Sequence, residues 1–402
     1  MDSLHIKKPF MTYEEVTLVA NQVAKDSKGV IKKGEPIGTS IFGYSIDKYT
    51  MGNGPNHVLV YGATHGCELI STSFILEMLG EISQNVGNYS EFIRNNTLHI
   101  IPILNPEGYD IASSAVNEKL KDKTLEEAEQ FCRKYAKAYL QDEEDAKAGL
   151  KNEKRYRKFF EDITTDCIKN EALRKSVNEI LKNTKLPPST MVVWSSNGVG
   201  VDLNSNAPQN FDETKAIKNK KKFTKNRYND IPINKRSPFN YTGEEPLNED
   251  ETPENVALYN LAKELYRKKN TTKGRENLVG IFSYHSTGQI VYVSVDSRCS
   301  ASDYIEDYRK LANVYSKMAD NYKIIEEPDN ILNGFTDMLR LAFDGTYTFT
   351  LELGRTEANP IGPFGDIKKD FVPTLLNNIN ALFGTIEEIN EICKKREASQ
   401  RW

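Results

Sequence analysis

Nothing in these 402 residues is apolar for long enough to cross a bilayer, and Met1 to Pro9 lack the apolar core of a secretion signal. The expected setting is therefore the cytoplasm, with no membrane partner. Cysteine is scarce: Cys67, Cys132, Cys167, Cys299 and Cys393 are odd in number and show no paired spacing, which argues against a disulfide framework and for reduced thiols. An excess of one charge is missing too. With 53 Lys and Arg against 57 Asp and Glu, the net charge is −4, so the cluster Lys218, Lys220, Lys221, Lys222 and Lys225 reads as a solvated loop, and nucleic acid is not an expected partner. Histidine is rare, at five residues, which makes the place of each one informative.

What is present clusters at the ends of apolar runs. Val58 to Ala63 has the composition of a buried parallel strand, and His65-Gly66-Cys67-Glu68 follows it, with Leu69 to Glu81 reading as a helix. Leu278 to Tyr284 is a second such run, closed by His285. Thr346 to Leu351 is a third, closed by Glu352. The carboxyl edge of an open α/β sheet is where ligands bind, and Gly62 and Gly66 permit a tight backbone there. A carboxylate in an apolar run is costly unless it is paired, metal-bound or used. Two His, one Glu ligand and a spare Glu make a zinc hydrolase set: zinc held by His and carboxylate keeps one position for water, lowers its pKa to roughly 7 and polarises a carbonyl. Each part also has a plainer origin, since a lone His-x-x-Glu arises by chance and a lone His more often satisfies a core. Cys67, between the ligands, is expected to point away from them.

From about residue 12 to about residue 385 the chain resembles the zinc carboxypeptidases. The matching segments are Gly-x-x-x-x-Gly-x-x-Ile at Gly38 to Ile46, Gly52-Asn53-Gly54, His65-x-x-Glu68, Asn105-Pro106-Glu107-Gly108, Gly200-Val201-Asp202-Leu203-Asn204, and the His285 and Glu352 strands, all in family order. The resemblance implies one zinc ion held by His65, Glu68 and His285, with Glu352 as general base and acid. Asp202 is then the partner expected to orient His65. Thr350-Leu351-Glu352-Leu353-Gly354 with Asn359-Pro360-Ile361 and Phe364 is similar to the branch of γ-D-glutamyl-diamino-acid peptidases, which cut cell-wall stem peptides. Digestive members carry an Arg between the two Asn of Asn-x-Asn and another Arg upstream; here Ser205 lies between Asn204 and Asn206, and Trp194-Ser195-Ser196-Asn197-Gly198 holds no Arg. A Ser cannot replace the bidentate fork of an Arg on a carboxylate. Arg236 is the candidate substitute for an anionic substrate group, with Arg227 and Arg340 behind it. Asn204, Tyr284, Ser286 and Gln289 are expected to line the pocket. No aromatic equivalent to the family's pocket-closing residue is found near Asp329-Asn330-Ile331.

The implied fold is a three-layer α/β/α sandwich, with a mixed, mostly parallel twisted sheet, formed by residues 1–114 and 187–402. Residues 12–27 read as a helix capped by Thr12, and strands are expected near 41–50, 57–62 and 97–103. Residues 115–186, rich in Glu, Lys and Ala with apolar residues at helical spacing, read as an inserted group of three or four amphipathic helices. That insertion is expected either to cover the cleft or to dock a second copy or partner, which leaves homo-oligomerisation open. Pro187-Pro188 stops its last helix before Met191 to Trp194 re-enters the sheet. The expected function is a zinc metallopeptidase acting on a cell-wall-type peptide; the alternatives are a carboxypeptidase or deacylase for another small peptide or acyl-amino substrate, and a zinc-containing binding module without catalysis.

Overall fold

A computed structural model describes residues 4–6, 8–150, 155–208, 211–220, 235–267, 277–294, 302–327, 334–343, 345–355 and 367–399. Cys299, Arg227, Asp329-Asn330-Ile331, Asn359-Pro360-Ile361, Phe364 and Lys221 to Lys225 lie outside the described residues. Eight strands form the main sheet in the order β1-β4-β6-β5-β7-β10-β8-β9. Its centre is parallel: β5 (Asn56–Gly62) lies between β6 (Asn96–Ile101) and β7 (Asn277–Ser286), and β10 (Tyr347–Leu353) follows β7. Antiparallel strands close both sides. On one side β4 (Tyr49–Gly52) pairs with β6 and with β1 (Ile31–Lys33); on the other, β10 pairs with β8 (Ile290–Ser294), which runs parallel to β9 (Lys323–Glu327). The sheet is thus mixed and mostly parallel, as the sequence implies.

Strand β5 is buried along nearly its whole length, which is why its residues read as an unbroken apolar run. One sheet face packs on α1 (Tyr13–Asp26), α2 (Leu69–Gln84), α4 (Pro106–Leu120), α9 (Ser302–Met318) and α11 (Val372–Ser399). The other packs on α8 (Pro253–Arg267) and α10 (Phe335–Ala342). Thr12 caps α1 as expected, and the structure adds a reciprocal box in which Glu15 accepts from Thr12 N. Between Leu120 and Thr184 the described residues form α5 (Leu125–Lys147), two short 3-10 pieces and α6 (Glu171–Thr184). Part of the helical periodicity assigned to 115–186 belongs to the end of α4, whose apolar Ala115, Val116 and Leu120 are buried.

Met191 to Trp194 does not re-enter the sheet. Pro188–Val193 form a 3-10 turn, and the Trp194 carbonyl accepts from Cys67 N at 2.9 Å. Pro187 and Pro188 remove two backbone donors in succession, which suits a turn better than a strand ladder. The run 41–50 also breaks into two short pieces, β3 (Ser45–Ile46) and β4, with β3 pairing with β2 (Gly38–Thr39) in a separate two-stranded sheet. No described helix is long and apolar enough to cross a membrane.

Candidate active site

Three loops meet at the carboxyl end of the central strands, and Asn105 ties them together. Its Oδ1 accepts from Gly108 N at 2.8 Å, capping α4, while its Nδ2 donates to Thr64 O at 3.1 Å and Ser196 O at 3.2 Å. Pro106 occupies the first helical turn, where its missing N–H costs nothing. The loops approach so closely that a Cβ on Gly66 would lie 2.1 Å from the Gly108 carbonyl carbon. Glu107 completes the motif from full burial, accepting from Phe42 N at 2.6 Å and Gly198 N at 3.1 Å. The Asn-Pro-Glu-Gly motif is therefore a structural clasp around the segment that carries His65.

The clasp aims His65 and Glu68 at His285. His65 Nδ1 is 2.8 Å from Glu68 Oε1, and His285 Nδ1 is 3.0 Å from Glu68 Oε2. Glu68 Oε1 is within hydrogen-bond reach of His65 Nδ1, while Oε2, facing His285, has no hydrogen-bond partner among the described residues, so the one carboxylate stands between both imidazoles. One donor atom from each residue lies within 4.8 Å of the others. That separation suits a single ion with bonds of about 2.0–2.2 Å, and the set of two His and one carboxylate is that of a catalytic zinc site. The other ring nitrogen of His65, Nε2, faces Asp202 Oδ1 at 3.4 Å.

Charge follows from this geometry. Burial opposes ionisation of Glu68, yet the His65 and His285 charges outweigh it and hold its pKa down to about 2. Burial also opposes charging of His65, but Glu68 and Asp202 lift its pKa well above the ordinary value. Glu352 lies beside His285 in the parallel register of β10 and β7, so both side chains leave the sheet on one face. Burial first, and then the Glu68 charge, raise the Glu352 carboxyl well above the usual range, with His65 opposing. A bound cation acts on it in the opposite direction.

Other expected site residues fall less evenly. Asn204 lies in the 3-10 turn Leu203–Ser205, and its Oδ1 accepts from Phe335 N at 3.0 Å, which leaves Nδ2 as the group it can offer to a substrate. Tyr284 is not brought to the cluster. Its ring packs on Phe74 with centroids 4.1 Å apart, and its hydroxyl accepts from Tyr315, because strand alternation sends it to the face opposite His285. Ser286 shares that alternation and is buried, with its side chain off the His285 face. Gln289 holds the strand turn, donating its N–H to Gly354 O at 2.9 Å.

Arg236, 44% exposed, donates to Val199 O at 3.1 Å and to the 5%-exposed Glu251 at 2.6 Å, so its guanidinium clasps the loop. Arg340 is buried over the rings of Tyr304 and Tyr308, which bond Thr346 and Thr348 at the amino end of β10, opposite the end that carries Glu352. Burial pushes the Cys67 thiol up to about 11, and its sulfur faces Ser195, which leaves it neither a ligand nor a thiolate nucleophile. The four described cysteines are free.

Sequence reading named Asn105 and Asn206 only as motif positions and missed their work as ties between loops. Asn206 donates to Thr242 O and Glu245 O and accepts from Leu247 N and Thr252 Oγ1, fixing the loop that follows Tyr241. The doubled Asn was the available signal. Glu254 was missed altogether: it is fully buried beside Asn197, with Oε1 lacking a partner.

An open, mostly parallel sheet with a His, Glu, His donor set at its carboxyl edge defines the class as a zinc-dependent hydrolase. The zinc carboxypeptidase family model matches residues 20–374. The chain belongs to the zinc carboxypeptidase family and is a zinc metallopeptidase that uses one zinc ion. Among solved structures it is similar to bovine thrombin-activatable fibrinolysis inhibitor in complex with tick carboxypeptidase inhibitor, with TM-score 0.58, 16% identity, and 95% of this chain and 98% of that one covered. Carboxypeptidase A from Helicoverpa armigera gives TM-score 0.55 at 16% identity, with coverage of 96% and 75%. A metallo-carboxypeptidase from Burkholderia cenocepacia gives 0.50 at 10%, with coverage of 93% and 69%. Likeness at these identities speaks for the fold. No curated protein sequence gives a significant match.

Proposed function

We propose that the cleft hydrolyses an amide bond of a cell-wall-type peptide, a γ-D-glutamyl-diamino acid, with His65, Glu68 and His285 as zinc ligands and Glu352 as general base and acid. The observation that carries the reading is the register that places Glu352 next to His285 at the carboxyl end of adjacent parallel strands. Zinc bound there polarises the scissile carbonyl and brings the pKa of water to about 7. Glu352 receives a proton from the attacking water and passes it to the leaving amine. Asp202 holds the ring of His65, and Asn204 Nδ2 is the group at hand for the oxygen that gains charge.

The substrate class is supported by what occupies the arginine position. Ser205 donates to Asp202, so no guanidinium fork grips a free C-terminal carboxylate from there. Arg236 serves the substrate's anionic group only by sharing its guanidinium with Glu251. That commitment favours a second reading, a zinc amide hydrolase for a small peptide or acyl-amino substrate with less anionic character. Helix α6 braces the Gly198 to Gly200 loop from behind: Ser176 Oγ donates to Gly198 O at 2.8 Å, and Ile180 packs on Gly200.

A peptide panel tests the proposal. Zinc-loaded protein is given γ-D-glutamyl-diaminopimelate peptides beside ordinary peptides with free and blocked C-termini and a set of N-acyl-amino acids. Cleavage of the γ-linked peptides alone supports the cell-wall reading. Cleavage confined to ordinary free C-termini overturns it, and cleavage of acyl-amino substrates alone establishes the second reading.

A further inference from the structure

We infer that Ser205, standing where digestive carboxypeptidases carry an arginine, is a positioning residue of the metal centre that acts through Asp202 on His65. Three links make the path. Ser205 Oγ donates to Asp202 Oδ2 at 2.5 Å; Asp202 Oδ1 faces His65 Nε2 at 3.4 Å; His65 Nδ1 faces the cluster beside Glu68 Oε1 at 2.8 Å. The side chain is suited to the role by its place in the chain. Leu203–Ser205 is a 3-10 turn in which Ser205 N donates to Asp202 O at 3.1 Å, and in such a turn residues three apart stand over one another. A two-atom hydroxymethyl group is long enough to fold back onto the carboxylate. A guanidinium at that position carries its donors out past the turn.

The consequence concerns the tautomer of His65. An imidazole binds metal through one nitrogen when the other gives its N–H to a fixed acceptor, and loss of such an outer contact weakens metal binding about 10–100-fold. Asn204 N fixes Asp202 Oδ1 at 3.1 Å, and Ser205 Oγ holds Oδ2 from the same turn. With both oxygens held, the carboxylate keeps the rotamer that meets His65 Nε2. The arginine position of the family has thus been turned from the substrate toward the metal.

This inference rests on the zinc reading of the site and not on any one substrate, so zinc competition against a chromogenic chelator tests it without peptide. Ser205→Ala is expected to lose zinc affinity by about tenfold while Ser205→Thr, which keeps the hydroxyl, stays near wild type. On the background of Asp202→Asn, which weakens zinc by itself, Ser205→Ala is expected to add nothing further. Thermal melts of the zinc-free variants identify any that fail to fold, in which case Ser205→Cys, of similar size without a strong donor, replaces Ser205→Ala. Unchanged zinc affinity in Ser205→Ala overturns the inference. So does additivity with Asp202→Asn. If the γ-linked peptides are not cleaved but the zinc result holds, the substrate assignment fails and the role of Ser205 stands.

Discussion

Side chains were legible from sequence where their position relative to a strand end carried the information. His65, Glu68, His285 and Glu352 each follow or close an apolar run, and the structure gathers the first three within 4.8 Å. Tyr284 was misread although the signal was present, since a residue adjacent to His285 on one strand must face the other way. Glu254 was not legible at all. Thr252-Pro253-Glu254 looks like an ordinary helix start, and nothing local reveals that tertiary packing seals this carboxyl beside Asn197. Burial first, and then the nearby Glu107 charge, raise its pKa well above the usual carboxyl range. The sign of the consequence is fixed. Above the unfolded pKa the unfolded chain releases this proton and the folded chain keeps it, so stability falls as pH rises toward the folded pKa. Glu254→Gln, neutral at every pH and able to keep the Asn197 contact, is expected to melt higher than wild type at about pH 8 and to match it near pH 4, by differential scanning calorimetry at both. Equal melting curves at both pH values would remove the charge argument.

Elements were legible where local pattern decides them. The α1 capping box, β5, β6, α2, β7 and β10 all stand within a few residues of their expected bounds. Met191 to Trp194 was not, because its apolar residues are buried in a turn, and burial alone does not distinguish a turn from a strand. The loops of the site were legible only as motifs; their work depends on partners far along the chain. Asn105→Ala removes the α4 cap and leaves Thr64 O and Ser196 O without their donor, an expected cost of about 2–3 kcal/mol in urea unfolding. Gly66→Ala is expected to cost more and to lower zinc affinity, since a Cβ at 2.1 Å from Gly108 must push apart the two loops that set His65. A variant of normal stability and metal content would show that the clasp is looser than its geometry implies.

At the scale of the molecule, the sheet determines the chemistry. Parallel pairing of β5, β7 and β10 delivers His65 and Glu68, His285 and Glu352 to one edge from segments nearly 290 residues apart in the chain. Metal and fold are coupled as a result. Zinc that binds the folded chain alone is expected to add about 2.7 kcal/mol when present at a hundred times its dissociation constant, and His285→Ala should abolish that gain in a thermal shift series. Helix α6 buttresses the Gly198 to Gly200 loop, with Ser176 Oγ donating to Gly198 O and Ile180 against Gly200. The claim on which the rest depends is that zinc and Glu352 act together at this edge. The decisive measurement is the turnover of Glu352→Gln with its zinc content determined in the same preparation. Full zinc occupancy with turnover lowered by about 10²–10⁴-fold is the expected result. Wild-type turnover at full occupancy would contradict it and place the general base elsewhere.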